Sequence, residues 1–267
     1  MPMPTLSMPT LGELLEAGAH FGHKKERSFP GAKKFTYTIR DSVYVIDLEK
    51  TITSFNAATL YLQKLIGSGK TILFLGTKRQ AREAVKVAAE NLDQPYVVVR
   101  WLGGMLTNFE TIHKSLKQLE KLEELQKSED FSKYTKKERQ RIEEKIKKIL
   151  SIFSGIRKMS KLPDALFVVD TAKENVAVLE ARKMEIPIVG ICDTNANPDL
   201  IDYPIPANDD SEKTIQLILS KVEENLKLGA PVIKTEEKPE KEEIEENIEK
   251  AKSAKATTRP KGPREKK

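Results

Sequence analysis

The sequence predicts a three-layer α/β domain with a parallel sheet, interrupted by an inserted antiparallel helical hairpin. Short runs such as 71–75 and 165–169 are apolar throughout, which is typical of strands buried on both faces, and segments with helical periodicity separate them. Residues 107–158 instead carry apolar side chains only at every third or fourth position, the pattern of amphipathic helices. The 267 residues suffice for one large domain or two small ones.

Periodicity and turn residues define the elements of the sheet domain. In chain order we predict a helix over 10–18, a loop over 19–41, a strand over 43–47, a helix over 49–66, strands over 71–75 and 96–99 separated by a helix over 78–91, and, after the insertion, strands over 165–169, 186–191 and 203–206 with helices over 173–184 and 211–228. Thr10 and Glu13 form a capping-box pattern that begins the first helix, and Gly18 ends it. Two prolines within 203–206 predict an edge strand, because proline cannot donate to a neighbouring strand.

The insertion is predicted to be two helices that pack along one narrow apolar stripe each. The stripe of the first helix consists of Phe109, Ile112, Leu116, Leu119, Leu122 and Leu125. The stripe of the second consists of Ile142, Ile146, Ile149, Phe153 and Ile156. The alternating spacing of four and three in the second stripe is a heptad pattern and predicts a coiled coil. Thr135 and Glu138 form a capping box at the start of the second helix, after a turn over 128–134.

These patterns divide the chain into three parts. Residues 1–106 and 159–230 are predicted to form one α/β sheet domain, residues 107–158 the inserted hairpin, and residues 231–267 a charged tail. The tail contains eight Glu and two Lys over 236–249, then eight Lys or Arg and one Glu over 250–267. It has almost nothing apolar to bury, so we predict that it is disordered.

Positive charge concentrates in the N-terminal segment and the insertion. The net charge is +6, and residues 20–40 carry six Lys or Arg against one acid, whereas residues 164–232 carry 6 basic and 13 acidic side chains. This distribution indicates an anionic partner for the basic regions. The single cysteine excludes an internal disulfide. Neither a membrane span nor a signal peptide is predicted, and a cytoplasmic location is expected.

Two segments are similar to phosphate-binding loops. The run GSGKT at 67–71 precedes a predicted strand rather than following one, so a turn that ends a helix is the preferred interpretation. The run GTKR at 76–79 does follow a strand and begin a helix, where backbone N–H groups and two cations suit a phosphate, including one of RNA. Its single glycine is too few for a dinucleotide site, so a Rossmann-like nucleotide-binding enzyme is kept only as an alternative.

Candidates for metal binding and catalysis are few. The possible metal ligands are His20, His23, Asp193, Asp209 and Asp210. Sequence alone does not show that these groups converge, so no metal and no cofactor are predicted. Cys192 is interpreted as a small buried residue rather than a nucleophile. No acid–base pair stands out, and the chain is therefore predicted not to be an enzyme.

Several blocks of sequence closely resemble the S-two family of bacterial small-subunit ribosomal proteins. They are LGELLEAGAHFGH at 11–23, YVIDLEKT at 44–51, FLGTKR at 74–79, RWLGGMLTN at 100–108, LPDALFVVD at 162–170, IPIVGICDTN at 186–195 and IPANDD at 205–210. The blocks occur in the family's order, and together they are far more specific than any one of them.

The resemblance implies a flavodoxin-like doubly wound sheet with an inserted helical hairpin and a structural role in the ribosome, without catalysis. It implies binding to ribosomal RNA on the solvent side of the small subunit, where head meets body, and support for docking of ribosomal protein S-one. No membrane and no small-molecule substrate is implied. A non-ribosomal adaptor that docks proteins through the hairpin is kept as a second alternative.

Ten basic residues are the candidate RNA contacts. They are Lys24, Lys25, Arg27, Lys33, Lys34, Arg40, Lys78, Arg79, Arg82 and Arg100. Cations of this kind neutralise phosphates and release counterions, which gives salt-dependent affinity. Three aromatic residues, Phe29, Tyr37 and Trp101, are left open between packing in the protein and stacking on bases.

Overall fold

A computed structural model of the protein describes residues 6–229, without the side chains of residues 129 and 130. In chain order its helices and strands are α1 (Leu11–Glu16), β1 (Phe21–Lys24), β2 (Thr36–Arg40), β3 (Val43–Ile46), α2 (Leu48–Gly67), β4 (Ile72–Leu75), α3 (Arg82–Asn91), β5 (Tyr96–Val97), α4 (Phe109–Lys127), α5 (Lys136–Phe153), β6 (Ala165–Val169), α6 (Asn175–Lys183), β7 (Ile188–Cys192), β8 (Tyr203–Pro206) and α7 (Glu212–Gly229). Short 3-10 helices lie at Lys25–Arg27, Pro30–Phe35, Glu129–Lys133, Ser154–Ile156 and Pro198–Leu200. The predicted disordered tail, residues 231–267, lies outside the described residues.

The central sheet is parallel and has five strands in the order β5-β4-β6-β7-β8. Counted along the chain within this sheet, the order is 2-1-3-4-5, which is the flavodoxin-like arrangement. The prediction of an α/β fold with a parallel sheet is therefore confirmed. Strand β8 lies at an edge, as its prolines required.

Alternate residues of the buried strands face two separate apolar clusters. Phe74 and Phe167 pack with their ring centroids 5.2 Å apart on the face covered by α2, α3 and α7. Leu73 and Leu75 face the opposite cluster, which contains residues of α6 and of the hairpin base. The two covered faces explain why the strand sequences are apolar without alternation.

The first three strands form a separate antiparallel sheet in the order β1-β3-β2. The prediction of a loop over 19–41 was therefore wrong in part, since β1 and β2 lie within that segment. Strands β2 and β3 are joined by Asp41 and Ser42, whose φ angles of 50° and 63° are those of a type I′ hairpin turn. The usual glycine or asparagine is missing from this turn, so the sequence did not indicate a hairpin.

Two predicted boundaries differ from the structure for local reasons. Helix α3 begins at Arg82 rather than at residue 78, because residues 78–81 form a turn closed by a bond from the Ala81 N–H to the Lys78 carbonyl (2.9 Å). Strand β5 ends at Val97, two residues before the prediction, because its partner β4 ends at Leu75, the residue paired with Val97.

The insertion contains the two predicted helices, α4 and α5. The capping box of Thr135 and Glu138 is present at the start of α5. Ile112, Leu116 and Leu119 of α4 and Ile146 and Phe153 of α5 are buried. The coiled coil and the division of the chain into domains remain predictions. Within the described residues, no helix is both long and apolar enough to cross a membrane.

Candidate nucleic-acid interface

The six basic side chains of the N-terminal segment, residues 24–40, are all exposed. Four of them have no ion-pair partner within residues 6–229; these are Lys24, Lys25, Arg27 and Lys33. Lys34 lies 2.7 Å from Asp199, and Arg40 lies 3.9 Å from Asp41, with all four side chains largely exposed. Exposed pairs of this kind contribute little to stability and open readily. The segment therefore presents positive charge that residues 6–229 leave mostly uncompensated.

Thr194, which follows β7, fixes this segment to the carboxyl edge of the parallel sheet. Its hydroxyl oxygen accepts the His23 backbone N–H (2.8 Å), and its carbonyl oxygen accepts the Phe29 backbone N–H (2.8 Å). Gly22 packs so closely against Thr194 that a Cβ atom would lie 2.8 Å from the Thr194 methyl carbon. The absence of a side chain at Gly22 thus permits the approach. The basic segment is held in place before any partner arrives.

The other four predicted RNA contacts fall into two kinds. Arg79, Arg82 and Arg100 are exposed. The Arg82 Nε donates to the Thr77 carbonyl (2.9 Å), which leaves the remaining guanidinium N–H groups for a partner. Lys78 is different, because its side chain is only 13% exposed.

Lys78 lies at the centre of a carboxylate cluster formed by the ends of the strands. Its Nζ is 3.0 Å from Asp170, 2.7 Å from Asp209 and 2.6 Å from Asp210. Burial alone would lower the pKa of Lys78, but attraction to Asp209 and hydrogen bonds to Asp209 and Asp210 outweigh it and raise that pKa. Lys78 is therefore charged and already neutralised by the protein, which leaves it little capacity to bind a phosphate.

Two more groups of this cluster have shifted pKa values. Burial, together with repulsion from Asp170 and Asp193, raises the pKa of Asp209 to about 7, although Lys78 opposes the change. Contact with Asp193 raises the pKa of His23, and burial opposes it. The His23 Nδ1 lies 3.1 Å from an Asp193 oxygen, and its Nε2 lies 3.5 Å from Asp210. A cleft of about 400 Å³ opens beside them, lined also by Phe21, Lys24 and Arg27.

His23, Asp193 and Asp209 also have the geometry of a metal site. One ligand atom from each lies within 4.8 Å of the others, and the Oδ2 of Asp209 is buried without a hydrogen-bond partner. Imidazole and carboxylate groups at this spacing could hold a divalent cation. His20, the other candidate histidine, does not belong to this group. The expectation that no metal is bound remains a prediction.

Glu180 of α6 holds the segment that leads into α4, a role that the sequence did not reveal. Its Oε1 accepts the Gly104 N–H (2.7 Å) and the indole N–H of Trp101 (3.2 Å), and its Oε2 accepts the N–H groups of Leu106 (3.0 Å) and Thr107 (3.2 Å). Burial would raise the pKa of Glu180, but these backbone donors outweigh it and lower that pKa. The carboxylate thus fastens the base of the hairpin to α6. A glutamate in the middle of a helix gives no sign of this in the sequence.

Trp101 and Cys192 both pack inside the protein. Trp101 is 9% exposed and lies in the apolar cluster at the hairpin base, so its role is packing rather than stacking on bases. Cys192 is buried, and burial raises the pKa of its thiol to about 12. A thiol of that kind stays protonated and is a poor nucleophile. The interpretation of Cys192 as a packing residue agrees with this.

Fold and surface together define a class: a flavodoxin-like scaffold with two long helices, α4 and α5, between β5 and β6, and an exposed basic segment attached to one edge of its sheet. Residues 14–229 match the family described as Ribosomal protein S2. The chain belongs to this family, and the resemblance found in the sequence is confirmed. The family is one of structural ribosomal proteins.

Close relatives cover most of the chain. The Small ribosomal subunit protein uS2 of Coprothermobacter proteolyticus is 45% identical over 217 residues, 81% of each chain. The proteins with the same description from Helicobacter hepaticus (44% over 237 residues) and Helicobacter acinonychis (46% over 229 residues) align with 89% and 86% of this chain and with 90% and 93% of their own.

Proposed function

We propose that the protein is a structural, non-catalytic constituent of the small ribosomal subunit in the cytoplasm and binds small-subunit ribosomal RNA through residues 24–40. The observation that carries the proposal is a set of exposed cations that have no ion-pair partner in the described part of the chain and lie on a segment that Thr194 fixes to the sheet. Such cations displace the counterions of phosphates, and a segment that is already ordered loses little conformational entropy on binding.

A second contact is proposed for Arg79, Arg82 and Arg100, which are exposed outside the N-terminal segment. Lys78 is left out of the RNA-binding surface, because three carboxylates already surround its ammonium group. Its proposed part is to neutralise the carboxyl edge of the sheet.

We also propose that the protein binds where head meets body on the solvent side of the subunit and that it supports docking of ribosomal protein S-one. The resemblance of residues 11–23 and 100–108 to the S-two family supports both points. In the same way, heptad spacing with Ile146 and Phe153 buried supports a coiled coil of α4 and α5.

The nucleotide-binding alternative is disfavoured by the charge at the carboxyl edge of the sheet, where such folds bind their ligands. Asp170, Asp193, Asp209 and Asp210 gather there, and the cation nearest to them, Lys78, is already paired. A nucleotide phosphate would meet several carboxylates at this edge.

The first test is cofractionation of the tagged protein with small subunits on sucrose gradients at low and moderate salt. The variant replaces the four unpaired cations, Lys24, Lys25, Arg27 and Lys33, with Ala. The matched control replaces Lys64, Lys173, Lys183 and Lys213, which are exposed elsewhere on the protein, so that the net charge changes equally. We expect the first variant to leave the subunit at lower salt and the control to behave like the unchanged protein.

Binding to purified rRNA should show the same difference in its salt dependence. Each lost phosphate contact lowers the slope of log K against log salt by roughly 0.7–0.9, so four contacts lower it by about 3. Equal slopes for the two variants would show that the segment does not bind the RNA backbone. Migration of the unchanged protein only with free protein would contradict the ribosomal role.

Support for S-one is tested separately, by adding purified S-one to small subunits depleted of this protein and to the same subunits after it is restored. We expect S-one to cosediment only with the restored subunits. Equal cosedimentation in both cases would contradict this part of the proposal without affecting the rRNA-binding part.

A further inference from the structure

Tyr37 on β2 is 77% exposed, the highest value among the large apolar side chains of the described residues. A role in the protein core is therefore excluded for this ring. An aromatic ring in water does not gain the free energy that its burial would provide. An exposed ring of this kind therefore often marks a contact with a partner. The exposure raises the question of what covers Tyr37.

A β-bulge places Tyr37 outside the regular pairing of its hairpin. Thr36 pairs with Ile46 and Thr38 pairs with Val45, so β2 advances two residues while β3 advances one. Tyr37 is the extra residue and has no partner on β3. Bulges of this kind redirect a side chain and occur frequently beside functional sites.

The backbone around Tyr37 is fixed to the protein on both strands of the hairpin. The Asp47 N–H donates to the Phe35 carbonyl (2.9 Å), and the Ile46 N–H donates to the His20 carbonyl (2.8 Å). Tyr44 and Ile46 of β3 are buried. The backbone that carries the ring is therefore held in place by these hydrogen bonds and by the buried side chains of β3.

Cations lie on both sides of Tyr37 in the sequence. Lys33 and Lys34 lie in the last turn of the preceding 3-10 helix, and Arg40 ends β2. All three are exposed. An exposed ring flanked along the chain by cations is a combination by which proteins bind unpaired nucleotides, since cations track the backbone while the ring stacks on a base.

We propose that Tyr37 is a stacking platform for one unpaired base of small-subunit rRNA. This inference rests on the proposed function and adds to it a specific RNA feature, a base that is not in a duplex. The neighbouring cations bind the backbone on either side of that base, and the ring contributes affinity that does not depend on salt.

The test measures the affinity of the full-length protein for a refolded transcript of small-subunit rRNA over a series of salt concentrations. Four proteins are compared: the unchanged chain, Tyr37→Ala, Tyr37→Phe and Tyr37→Leu. Thermal unfolding checks that each variant is folded. Tyr134→Ala, which removes an exposed tyrosine of the hairpin insertion, is the matched control.

We expect Tyr37→Ala to weaken binding about tenfold at every salt concentration with an unchanged salt slope, because stacking involves no phosphate. Tyr37→Phe should keep most of the affinity, since its ring also stacks, whereas Tyr37→Leu should bind nearly as weakly as Tyr37→Ala. The Tyr134→Ala control should bind normally.

Three results would overturn the inference. In the first, Tyr37→Ala binds normally to an RNA that the variant without Lys24, Lys25, Arg27 and Lys33 binds weakly. This result would contradict the stacking role and leave the proposed function intact. Another is normal binding by Tyr37→Leu, which would indicate simple apolar contact. The third is normal RNA binding by Tyr37→Ala together with loss of a ribosomal protein from the assembled subunit, which would assign the ring to a protein partner. Failure of the unchanged protein to bind rRNA would instead remove the proposed function itself.

Discussion

Lys78 and the basic segment of residues 24–40 carry the same charge at the same edge of the sheet, but the protein treats them in opposite ways. Lys78 is 13% exposed and has three carboxylates within 3.0 Å. Lys24, Lys25, Arg27 and Lys33 are exposed and have no carboxylate partner among the described residues. Among residues 6–229, Lys78 is thus a buried cation paired with carboxylates, whereas these four exposed cations have no such partner. Lys78 therefore serves the fold, and we expect the four exposed cations to serve a partner.

The largest expected effect comes from removing the buried cation. We expect Lys78→Met to lower the free energy of unfolding by about 3–5 kcal/mol at neutral pH, because it leaves buried carboxylates without their counter-charge. The loss should be smaller below pH 7, since the pKa of Asp209 is already raised to about 7 and a protonated Asp209 needs no cation. Urea unfolding at several pH values measures both effects.

The matched control for Lys78→Met is Lys158→Met, which breaks an ion pair of the same 2.7 Å length with Asp93 where both side chains are exposed. We expect no measurable change in its stability. The salt slope of rRNA binding should also be unchanged in folded Lys78→Met. A salt slope lower by about 0.9 in this variant would instead show that Lys78 contacts an RNA phosphate.

The sequence predicted the sheet and the hairpin helices better than the arrangement of charge. Strand β6 was predicted at its observed bounds because every residue of a doubly covered strand is apolar. The pairing of Lys78 with Asp209 joins groups 131 residues apart, and no local pattern records such a contact. Lys78 and Lys33 therefore look alike in the sequence, although only Lys78 has carboxylate partners among the residues that the structure describes.

The hairpin of β2 and β3 was missed for a different reason. Asp41 and Ser42 adopt positive φ without the glycine that usually marks such a turn, and the bulge at Tyr37 breaks the alternation expected of a strand. The basic residues of the segment were identified by their composition alone. Their positions on an anchored hairpin, and the exposure of Tyr37 beside them, required the structure.

A smaller effect is expected at Glu180, the anionic counterpart of Lys78. Glu180→Gln places an amide group among N–H donors, so we expect a loss of about 2–3 kcal/mol of stability, in the range for hydrogen bonds to a charged group. The pKa of Glu180 is lowered in the folded protein, so its contribution is present above pH 4.5 and is lost as pH falls through the lower folded value. The variant should therefore differ most from the unchanged protein near neutral pH and least in acid.

Glu174→Gln is the control for this prediction. Glu174 is also buried, but burial raises its pKa, and it accepts only from Thr77. A neutral amide should be tolerated there at much lower cost. Equal losses of stability in Glu180→Gln and Glu174→Gln would show that the N–H donors of residues 101–107 do not make the charge of Glu180 more important to the fold than that of Glu174.

The smallest effect on stability is expected at Lys34. This residue also gives the sharpest test of the difference between Lys78 and the basic segment, because it combines an ion pair with an exposed side chain. Its 2.7 Å pair with Asp199 resembles those of Lys78 in length, but the two side chains are 51% and 65% exposed. We expect Lys34→Met to change the free energy of unfolding by less than about 1 kcal/mol. It should lower the salt slope of rRNA binding by roughly 0.7–0.9, because this pair opens to release the cation to a phosphate. If Lys34→Met lost much stability while its salt slope stayed unchanged, Lys34 would act as Lys78 does, in the fold. The exposure of a side chain would then not distinguish the cations that stabilise the fold from those that bind RNA.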